Sequence, residues 1–458
     1  MSPQPHVRPD IYYFPSIRTT LYDALVKYTP LSHLISSSSR TAKIMSNPEA
    51  LIQQAEKLVA KGKNAWSFFG GSEERFEQAA ALYRSAAQAY EVKGNFLDAA
   101  VAYVKAAEIQ ETKLSDDFEA PDSYVHASDD YRRALMEEVK PINDNEKAEA
   151  KAKAIDYRKK AIRLTESSSS GSKLRRLSRM YDALGQINEK DIAGPLMRAR
   201  ENLLNSKQLT LKDEDRKKVL ELEPQPTPNE ADELQLLQSK AVWSDEEKAH
   251  LKWLESEMLP PLNEARAAYK EAANFIRLDS PLNANKLFNQ SAEISVFIAL
   301  LPHLPKDNSK NSYYEDALNV YAIIIKALQG DAQRNNFFIP AYCFKWCLCR
   351  LAQCDPTATA RDVPKYQQIE MEAHRMQMEA QSMPYQEEDL RKRIVSEQRK
   401  YTLVFELNEA IKKTKETRKL IDEILLKKEY EDLVLKDKWQ NKIYTDIQNR
   451  FELEFEFA

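Results

Sequence analysis

The sequence has 458 residues, of which only 8 are glycine, far below the ~7% usual in globular proteins. Glycine supplies the positive φ angles and close backbone approaches of phosphate loops and tight hairpins, so this scarcity argues against dinucleotide-binding and all-β folds. The 67 basic and 71 acidic residues give a net charge of −4. The overall charge of the chain therefore does not favour binding to nucleic acid, and any basic surface must be local. With 30% charged and 43% apolar residues, the composition predicts an all-α protein built from amphipathic helices.

Residues 1–44 differ in composition from the rest of the chain. They contain five prolines, the run Ser36–Ser39 and few acidic residues. A serine-rich, acid-poor start is typical of a transit peptide, but the prolines break the amphipathic helix that such a peptide needs, so we expect a disordered leader. Asn47 and Pro48 suit the start of a helix, and translation from Met45 rather than Met1 stays an open alternative.

Internal repetition begins at Phe76. A shift of 20 residues superimposes Ala79 on Ala99, Ala80 on Ala100, Tyr83 on Tyr103, Ala86 on Ala106 and Ala87 on Ala107. A shift of 19 residues likewise superimposes Ala265 on Ala284 and Tyr269 on Phe288. Small residues on one stripe let neighbouring helices approach closely while the aromatic residue fills the gap between them. The sequence therefore predicts a right-handed α-solenoid of helical hairpins similar to tetratricopeptide (TPR) repeats.

Chemistry-bearing motifs are missing from the sequence. It contains no GxxxxGK[ST], HExxH or GxSxG pattern, and its six histidines are scattered. The four cysteines lie between Cys343 and Cys354 in one apolar segment without the paired CxxC of a zinc site, so we expect buried residues of a helix. No run of 18 apolar residues occurs. We expect no enzymatic activity, no cofactor, no metal and no membrane-spanning segment.

Three separated blocks, residues 45–110, 264–300 and 428–439, resemble the soluble NSF attachment protein (SNAP) family, of the α-SNAP/Sec17 type. The first contains the motif SFFGG at 67–71, followed by helices with the Ala-Ala-Tyr stripe. The departures are the leader and insertions near 193–257 and 375–405. We therefore expect a solenoid over residues 45–345 and a C-terminal helical bundle over 346–458, with an extra helix at about 375–405 and an acidic-apolar tail.

The resemblance implies an adaptor. Members of the family bind the assembled four-helix SNARE complex, of the syntaxin type, and recruit and stimulate the NSF/Sec18-type AAA ATPase for SNARE disassembly. It also implies a cytoplasmic protein, peripherally bound to the cytosolic face of membranes, that acts in vesicle-mediated transport, including ER–Golgi and vacuolar traffic, with no nucleic-acid partner. A generic TPR-like scaffold without SNARE or NSF activity and a γ-type SNAP are the alternatives.

A basic stretch without an acidic residue covers residues 173–179. Its i, i+3 and i+4 spacing gathers charges on one side of a helix, where a solvated face is one interpretation. The resemblance implies that basic residues on the concave solenoid surface hold the acidic SNARE bundle, whereas Arg175 and Arg176 are also open to a solvent-facing role. The candidate SNARE-binding residues are Lys173, Arg175, Arg176, Arg179, Arg277 and Lys286.

Aromatic residues precede the double glycine Gly70-Gly71. Trp66, Phe68 and Phe69 can form a hydrophobic staple that folds back on the core. A mobile tip that enters the bilayer interface is the other interpretation, and the resemblance implies a membrane-contact loop here.

The C-terminus alternates acidic and apolar residues. A frayed end is one interpretation. The resemblance implies instead that Leu453, Phe455 and Phe457 contact NSF, although phenylalanines stand where the family has leucine, which leaves stimulation of the ATPase open. Exposed acids at Glu429, Glu431 and Asp437 are expected to supplement this contact.

The insertion near 193–257 has its own pattern. A helical run reaches Leu222, prolines interrupt it, and a second run extends to Pro260-Pro261 with a capping box from Ser244 to Glu247. We expect two or more helices at the edge of the solenoid and assign them no function.

Overall fold

The computed structural model describes residues 47–63, 71–136, 143–168, 173–208, 243–304, 310–330, 337–381, 387–413, 416–435 and 437–452. The leader, Met45, the loop residues Trp66, Phe68 and Phe69, the segment 209–242 of the insertion, and the tail residues Leu453, Phe455 and Phe457 lie outside these ranges.

Every regular element in the described ranges is helical. The N-terminal part contains α1 (Pro48–Lys63), α2 (Gly71–Val92), α3 (Phe96–Thr112), α4 (Glu119–Met136), α5 (Asp144–Ser167), α6 (Lys173–Gln186), a π-helical segment (Ile187–Ala193) and α7 (Gly194–Gln208). The remainder contains α8 (Asp245–Ile276), α9 (Pro281–Ala299), α10 (Lys310–Gln329), α11 (Ile339–Ala352), α12 (Pro356–Gln381), α13 (Glu387–Ile411), α14 (Thr417–Leu425), a 3₁₀ turn (Lys428–Tyr430), α15 (Glu431–Leu435) and α16 (Lys438–Glu452).

The repeated alanine and tyrosine stripes form the contacts between helices. In α2 and α3 the alanines at 79, 86, 99 and 106 are fully buried, and Tyr83 and Tyr103 are nearly so. Gly94 has φ 70°, the left-handed conformation that ends α2 before Asn95 opens α3. The prediction of an α-solenoid is confirmed, since each helix from α1 to α6 packs on the next one along the chain.

One long antiparallel pair forms the middle of the molecule. α6, the π-helical segment and α7 are a continuous helical run that packs on α8 from end to end, with Arg175 beside Asp279 and Arg200 beside Glu255. The capping box is confirmed: the Ser244 side chain accepts from Glu247 N, and Glu247 accepts from Ser244 N. The expected break at Pro260-Pro261 is wrong, because α8 continues through both prolines. Burial of Met258 and Leu262 on either side holds the helix against its partner run.

The C-terminal helices share one core with the second half of the solenoid. A single apolar cluster runs from Ala193 and Met258 to Ile447 on α16. The boundary expected between 345 and 346 falls inside α11. Residues 375–405, expected as one extra helix, cover the end of α12 and most of α13.

The cysteine prediction needs one correction. Cys343, Cys347 and Cys349 are fully buried on α11 as expected. Cys354 lies beyond the end of α11 and is only half-buried. Its φ of 54° belongs to the turn that leads into α12, so it is not a residue of the helix.

Candidate functional site: a basic surface on helices α6, α8 and α9

α6 is held against α8 by its apolar side. Leu177, Ser178 and Leu184 are buried, and Ser178 Oγ donates a hydrogen bond of 2.8 Å to the carbonyl of Ala272. The ring of Tyr181 stacks on Phe275 at a centroid distance of 5.7 Å. This packing fixes the rotation of α6 and decides which of its basic residues face outward.

Lys173 has a structural partner. Its Nζ donates a hydrogen bond of 3.1 Å to the carbonyl of Ser168, the C-cap residue of α5. A cation at a helix C-terminus interacts favourably with the partial negative charge there. Lys173 therefore stabilises the connection between α5 and α6, whether or not it also meets a partner.

Arg176 does not face solvent, which corrects one of the expectations for this residue. Its Nη2 donates to Asp122 Oδ1 at 2.7 Å and to the carbonyl of Phe118 at 3.0 Å. The guanidinium carbon lies 4.5 Å from the centre of the Phe118 ring, and only 15% of the side chain is exposed. Arg176 thus joins α6 to the start of α4 and offers little of its charge to a partner.

Arg175 is exposed but paired. Its Nε lies 3.2 Å from Asp279 Oδ2, and 73% of its side chain is exposed. An ion pair this exposed is worth about 0–1 kcal/mol. Its charge is balanced locally, but the pair is weak enough to be exchanged for another carboxylate.

Three of the candidate residues are exposed cations for which the described part of the chain offers no ion pair: Arg179, Arg277 and Lys286. Arg277 is the C-cap residue of α8, and Lys286 lies in the second turn of α9. Because α6 and α8 are antiparallel, Arg277 lies level with the first turns of α6. The structure thus brings Lys173, Arg175, Arg176 and Arg277 to one end of the α6–α8 pair, with Lys286 on the next helix.

A groove of about 250 Å³ lies beside this surface, between α5, α6 and α8. Its ionisable lining residues are Lys159, Arg163, Glu166, Tyr181, Glu264 and Glu271. Lys159 pairs with Glu264 at 3.0 Å, and Tyr181 Oη donates to Glu166 at 2.8 Å. Burial and the Glu166 carboxylate raise the pKa of Tyr181 to about 12. The groove carries two cations and three carboxylates, so it is no extension of the basic surface.

The expected NSF-contact residues in the described part of the chain lie near its end. Asp437 accepts hydrogen bonds from the amides of Trp439 at 2.9 Å and Gln440 at 3.2 Å, so it caps α16. Glu429 is exposed, and its carbonyl accepts from Arg399. Glu431 is exposed in the first turn of α15 and lines a groove of about 620 Å³ between α14, α15 and α16.

The partners of Arg175 and Arg176 were missed by sequence reasoning. Asp279 and Asp122 stand 104 and 54 residues away along the chain. No local pattern signals such pairs.

The described helices include none that is long and apolar enough to cross a bilayer. The His, Cys, Asp and Glu side chains of the described residues form no group of three suited to a metal ion.

Comparison with known proteins bears on about a third of the chain, near its N-terminal end. Residues 46–195 match the family model described as soluble NSF attachment protein, SNAP. This segment of the chain is similar to the SNAP family. The matched segment of this SNAP-like protein includes Lys173, Arg175, Arg176 and Arg179 and ends before Arg277.

Two curated relatives are each described as a probable vesicular-fusion protein sec17 homolog. The one from Neurospora crassa is 31% identical over 87 residues, 19% of this chain and 30% of the relative. The one from Schizosaccharomyces pombe is 34% identical over 96 residues, 21% of this chain and 32% of the relative. The aligned part of this SNAP-like chain thus spans about a third of the length of these relatives.

Proposed function

We propose that this protein is an adaptor of vesicular fusion, which binds assembled SNARE complexes and recruits an NSF/Sec18-type ATPase to take them apart. The match of residues 46–195 to the SNAP family is the observation that carries the proposal. The names of the two relatives, which describe vesicular-fusion proteins, support it. The protein contributes a binding surface and no catalysis of its own.

The SNARE-binding surface is centred on Arg179, Arg277 and Lys286. These cations are exposed and have no ion pair among the described residues. An acidic partner therefore pairs with them without breaking an internal ion pair. Arg175 joins them by exchanging Asp279 for a partner carboxylate. Lys173 and Arg176 support the surface from within, because both are held by internal hydrogen bonds.

The grip depends on the sum of several weak contacts. Each exposed ion pair contributes about 0.2–1 kcal/mol and is screened by salt. Reversal of three cations removes three attractions and adds three repulsions, which corresponds to at least a tenfold loss of affinity at ~1.4 kcal/mol per factor of ten. The expected signature is therefore strong dependence on both charge and ionic strength.

The decisive experiment adds the purified protein to a syntaxin-type SNARE complex and an NSF-type ATPase. We expect a higher ATPase rate and disassembly of the complex. The triple variant R179E/R277E/K286E is expected to lose SNARE pull-down and disassembly. The difference in SNARE binding between the variant and the unaltered protein is expected to be larger at low salt, where the charges are screened less. The matched control is K93E/K190E/K252E, which reverses three exposed lysines elsewhere and should behave as the unaltered protein.

Three outcomes separate the candidate functions. Absence of SNARE binding and of ATPase stimulation by the unaltered protein would indicate a generic solenoid scaffold. Stimulation without stable SNARE binding would favour a γ-type SNAP. Equal loss in the triple variant and its control would remove the basic surface from the proposal while leaving the adaptor role.

NSF recruitment and membrane contact complete the proposal. Glu429 and Glu431 are exposed acids beside the last helices, and the tail residues Leu453, Phe455 and Phe457 follow α16 in sequence. We assign NSF contact to this end of the chain, with Asp437 limited to a supporting role because it caps α16. The loop with Trp66, Phe68 and Phe69 provides a membrane contact, so the protein acts at the cytosolic face of membranes.

A further inference from the structure

One edge of the solenoid collects exposed apolar side chains. Successive helices run antiparallel, so every second turn lies on the same side of the molecule. Three contacts fix this alternation in the first half: Lys105 reaches Glu56 between α3 and α1, Tyr124 reaches Glu111 between α4 and α3, and Tyr181 reaches Glu166 between α6 and α5. The starts of α2, α4 and α6 therefore lie at one edge.

The same edge continues into the second half. Ser291 on α9 donates to the carbonyl of Arg266 on α8, which makes this pair antiparallel. Arg266 also pairs with Asp316 on α10, and Lys345 on α11 pairs with Glu293 on α9, so alternate helices are parallel. The starts of α9 and α11 therefore lie at the same edge as the starts of α4 and α6.

Six large apolar residues are exposed at or next to these helix starts: Phe118 (52%), Leu174 (46%), Leu278 (88%), Leu282 (54%), Phe337 (66%) and Phe338 (49%). We call these residues the Leu278 edge. They lie at the starts of four helices, and the rings of Phe337 and Phe338 contact each other edge to face. A fluid lipid surface can adapt to protruding side chains that are spread over several helices.

Cations flank the centre of this row. Arg175 and Arg277 are exposed beside Leu174 and Leu278, and Arg175 pairs only weakly with Asp279. Arg176 and Lys173 are held by internal hydrogen bonds and add little to this section. Asp116 and Asp117 precede α4, so the basic section is confined to the middle of the edge. Leucine side chains beside exposed arginines match the chemistry of an anionic bilayer surface, where apolar groups enter the interface and cations remain at the head groups.

We propose that the Leu278 edge lies on an anionic phospholipid surface and binds it through Leu174, Leu278, Leu282, Phe337 and Phe338. The proposal extends the membrane contact of the proposed function from the loop near Trp66 to a line along the molecule. The starts of α2, α4, α6, α9 and α11 then lie nearest the bilayer, and these helices run away from it. The solenoid lies along the membrane on this edge. The edge residues are distinct from the apolar loop residues, so the two contacts can be separated.

The test is co-sedimentation of the full chain with phosphatidylcholine vesicles, with and without phosphatidylserine. The quadruple variant L278S/L282S/F337S/F338S is expected to lower the partition coefficient on serine-containing vesicles about tenfold or more. The matched control is V92S/M136S, because Val92 (90% exposed) and Met136 (58% exposed) end α2 and α4 at the opposite edge. The control is expected to sediment as the unaltered protein does.

Two further measurements separate the edge from the loop at Trp66, and a lipid partner from a protein partner. In the W66S/F68S/F69S background, adding the four edge substitutions is expected to lower vesicle binding further; no additional loss would overturn the proposal. SNARE pull-down without lipid is expected to be the same for the quadruple variant and the unaltered protein. Loss of SNARE pull-down in the quadruple variant would make the edge a protein-docking surface and overturn the proposal.

The outcome is independent of the proposed adaptor role. If the protein neither binds SNAREs nor stimulates an NSF-type ATPase, loss of vesicle binding in the quadruple variant still supports the edge. If disassembly proceeds but the quadruple variant sediments with vesicles as the control does, the edge proposal fails and the adaptor role stands.

Discussion

Gly185 on α6 lies against the ring of Tyr269 on α8, so that a Cβ atom at position 185 would stand 2.8 Å from a ring carbon. The ring has no room to move away. Tyr269 is fully buried, and its hydroxyl donates a hydrogen bond of 2.7 Å to Glu189 in the π-helical segment. This contact sets the distance between the two longest helical runs of the molecule.

Replacement Gly185→Ala is expected to lower the free energy of unfolding by about 1–3 kcal/mol, the usual cost of overpacking a buried site. Chemical denaturation followed by circular dichroism measures it. Gly194→Ala is the matched control, since its Cβ would meet its nearest neighbour, the Glu189 carbonyl, at 3.5 Å in helical backbone. That control should gain up to ~1 kcal/mol from reduced backbone entropy. Equal effects at both sites would contradict the close approach.

Arg176 is expected to contribute more to stability than Arg175. Arg176→Ala removes hydrogen bonds to Asp122 and to the Phe118 carbonyl together with the ring contact, so a loss of about 1–2 kcal/mol is expected. Arg175→Ala removes only an exposed pair and should change the free energy of unfolding by less than ~0.5 kcal/mol. A double-mutant cycle of Arg176→Ala with Asp122→Ala measures the pairwise energy. A coupling near zero would show that the ring contact dominates.

Asp130 makes stability depend on pH. Burial and the neighbouring Glu91 carboxylate raise the pKa of Asp130 to about 8, although Arg133 lies 3.2 Å from both carboxylates. The native protein keeps this proton at a pH where the unfolded chain has lost it. The Asp130 contribution to the free energy of unfolding therefore falls as pH rises from about 4 to 8, by at most ~1.4 kcal/mol per pH unit.

The measurement is urea unfolding of the unaltered protein and of Asp130→Asn at pH 5 and pH 8. The stability of the variant relative to the unaltered protein is expected to increase with pH. Asp98→Asn, at an exposed position on α3, is the control and should show no such trend over this range. A pH-independent difference for Asp130→Asn would place the ionised carboxylate in the native state throughout.

Thiol reactivity should divide the cysteines. Burial raises the pKa of Cys343, Cys347 and Cys349, which disfavours the reactive thiolate. Cys354 is half-buried beyond the helix. A thiol reagent at pH 8 is expected to label one of the 4 cysteines in the native protein and all of them in denaturant. Cys354→Ser should abolish the fast phase, and labelling that persists would reveal opening of α11.

The helices were predictable from sequence where local pattern and packing coincide. The alanine stripe of α2 and α3 repeats with a spacing that only close helix packing explains, and Gly94 marks the turn between them. The box from Ser244 to Glu247 is likewise local chemistry, since both hydrogen bonds lie within one turn.

The electrostatic surface was less predictable because it depends on distant contacts. Arg175, Arg176 and Arg179 look alike in sequence, yet one is paired on the surface, one is enclosed, and one is exposed. What distinguishes them is the position of Asp279 and Asp122 after folding. Continuation of α8 through Pro260-Pro261 was hidden for the same reason, since burial against the opposite helical run outweighs the local tendency of proline to end a helix.

The antiparallel pairing of α7 with α8 also has a practical use. Arg200 meets Glu255, so Gln208 and Trp243 both lie near the start of α8. α8 has 32 residues, or about 48 Å of helix, between that start and the turn that carries Leu278. A fluorescent protein or immobilisation tag inserted between positions 208 and 243 would therefore emerge far from the Leu278 edge, which makes this site suited to surface attachment in single-molecule measurements.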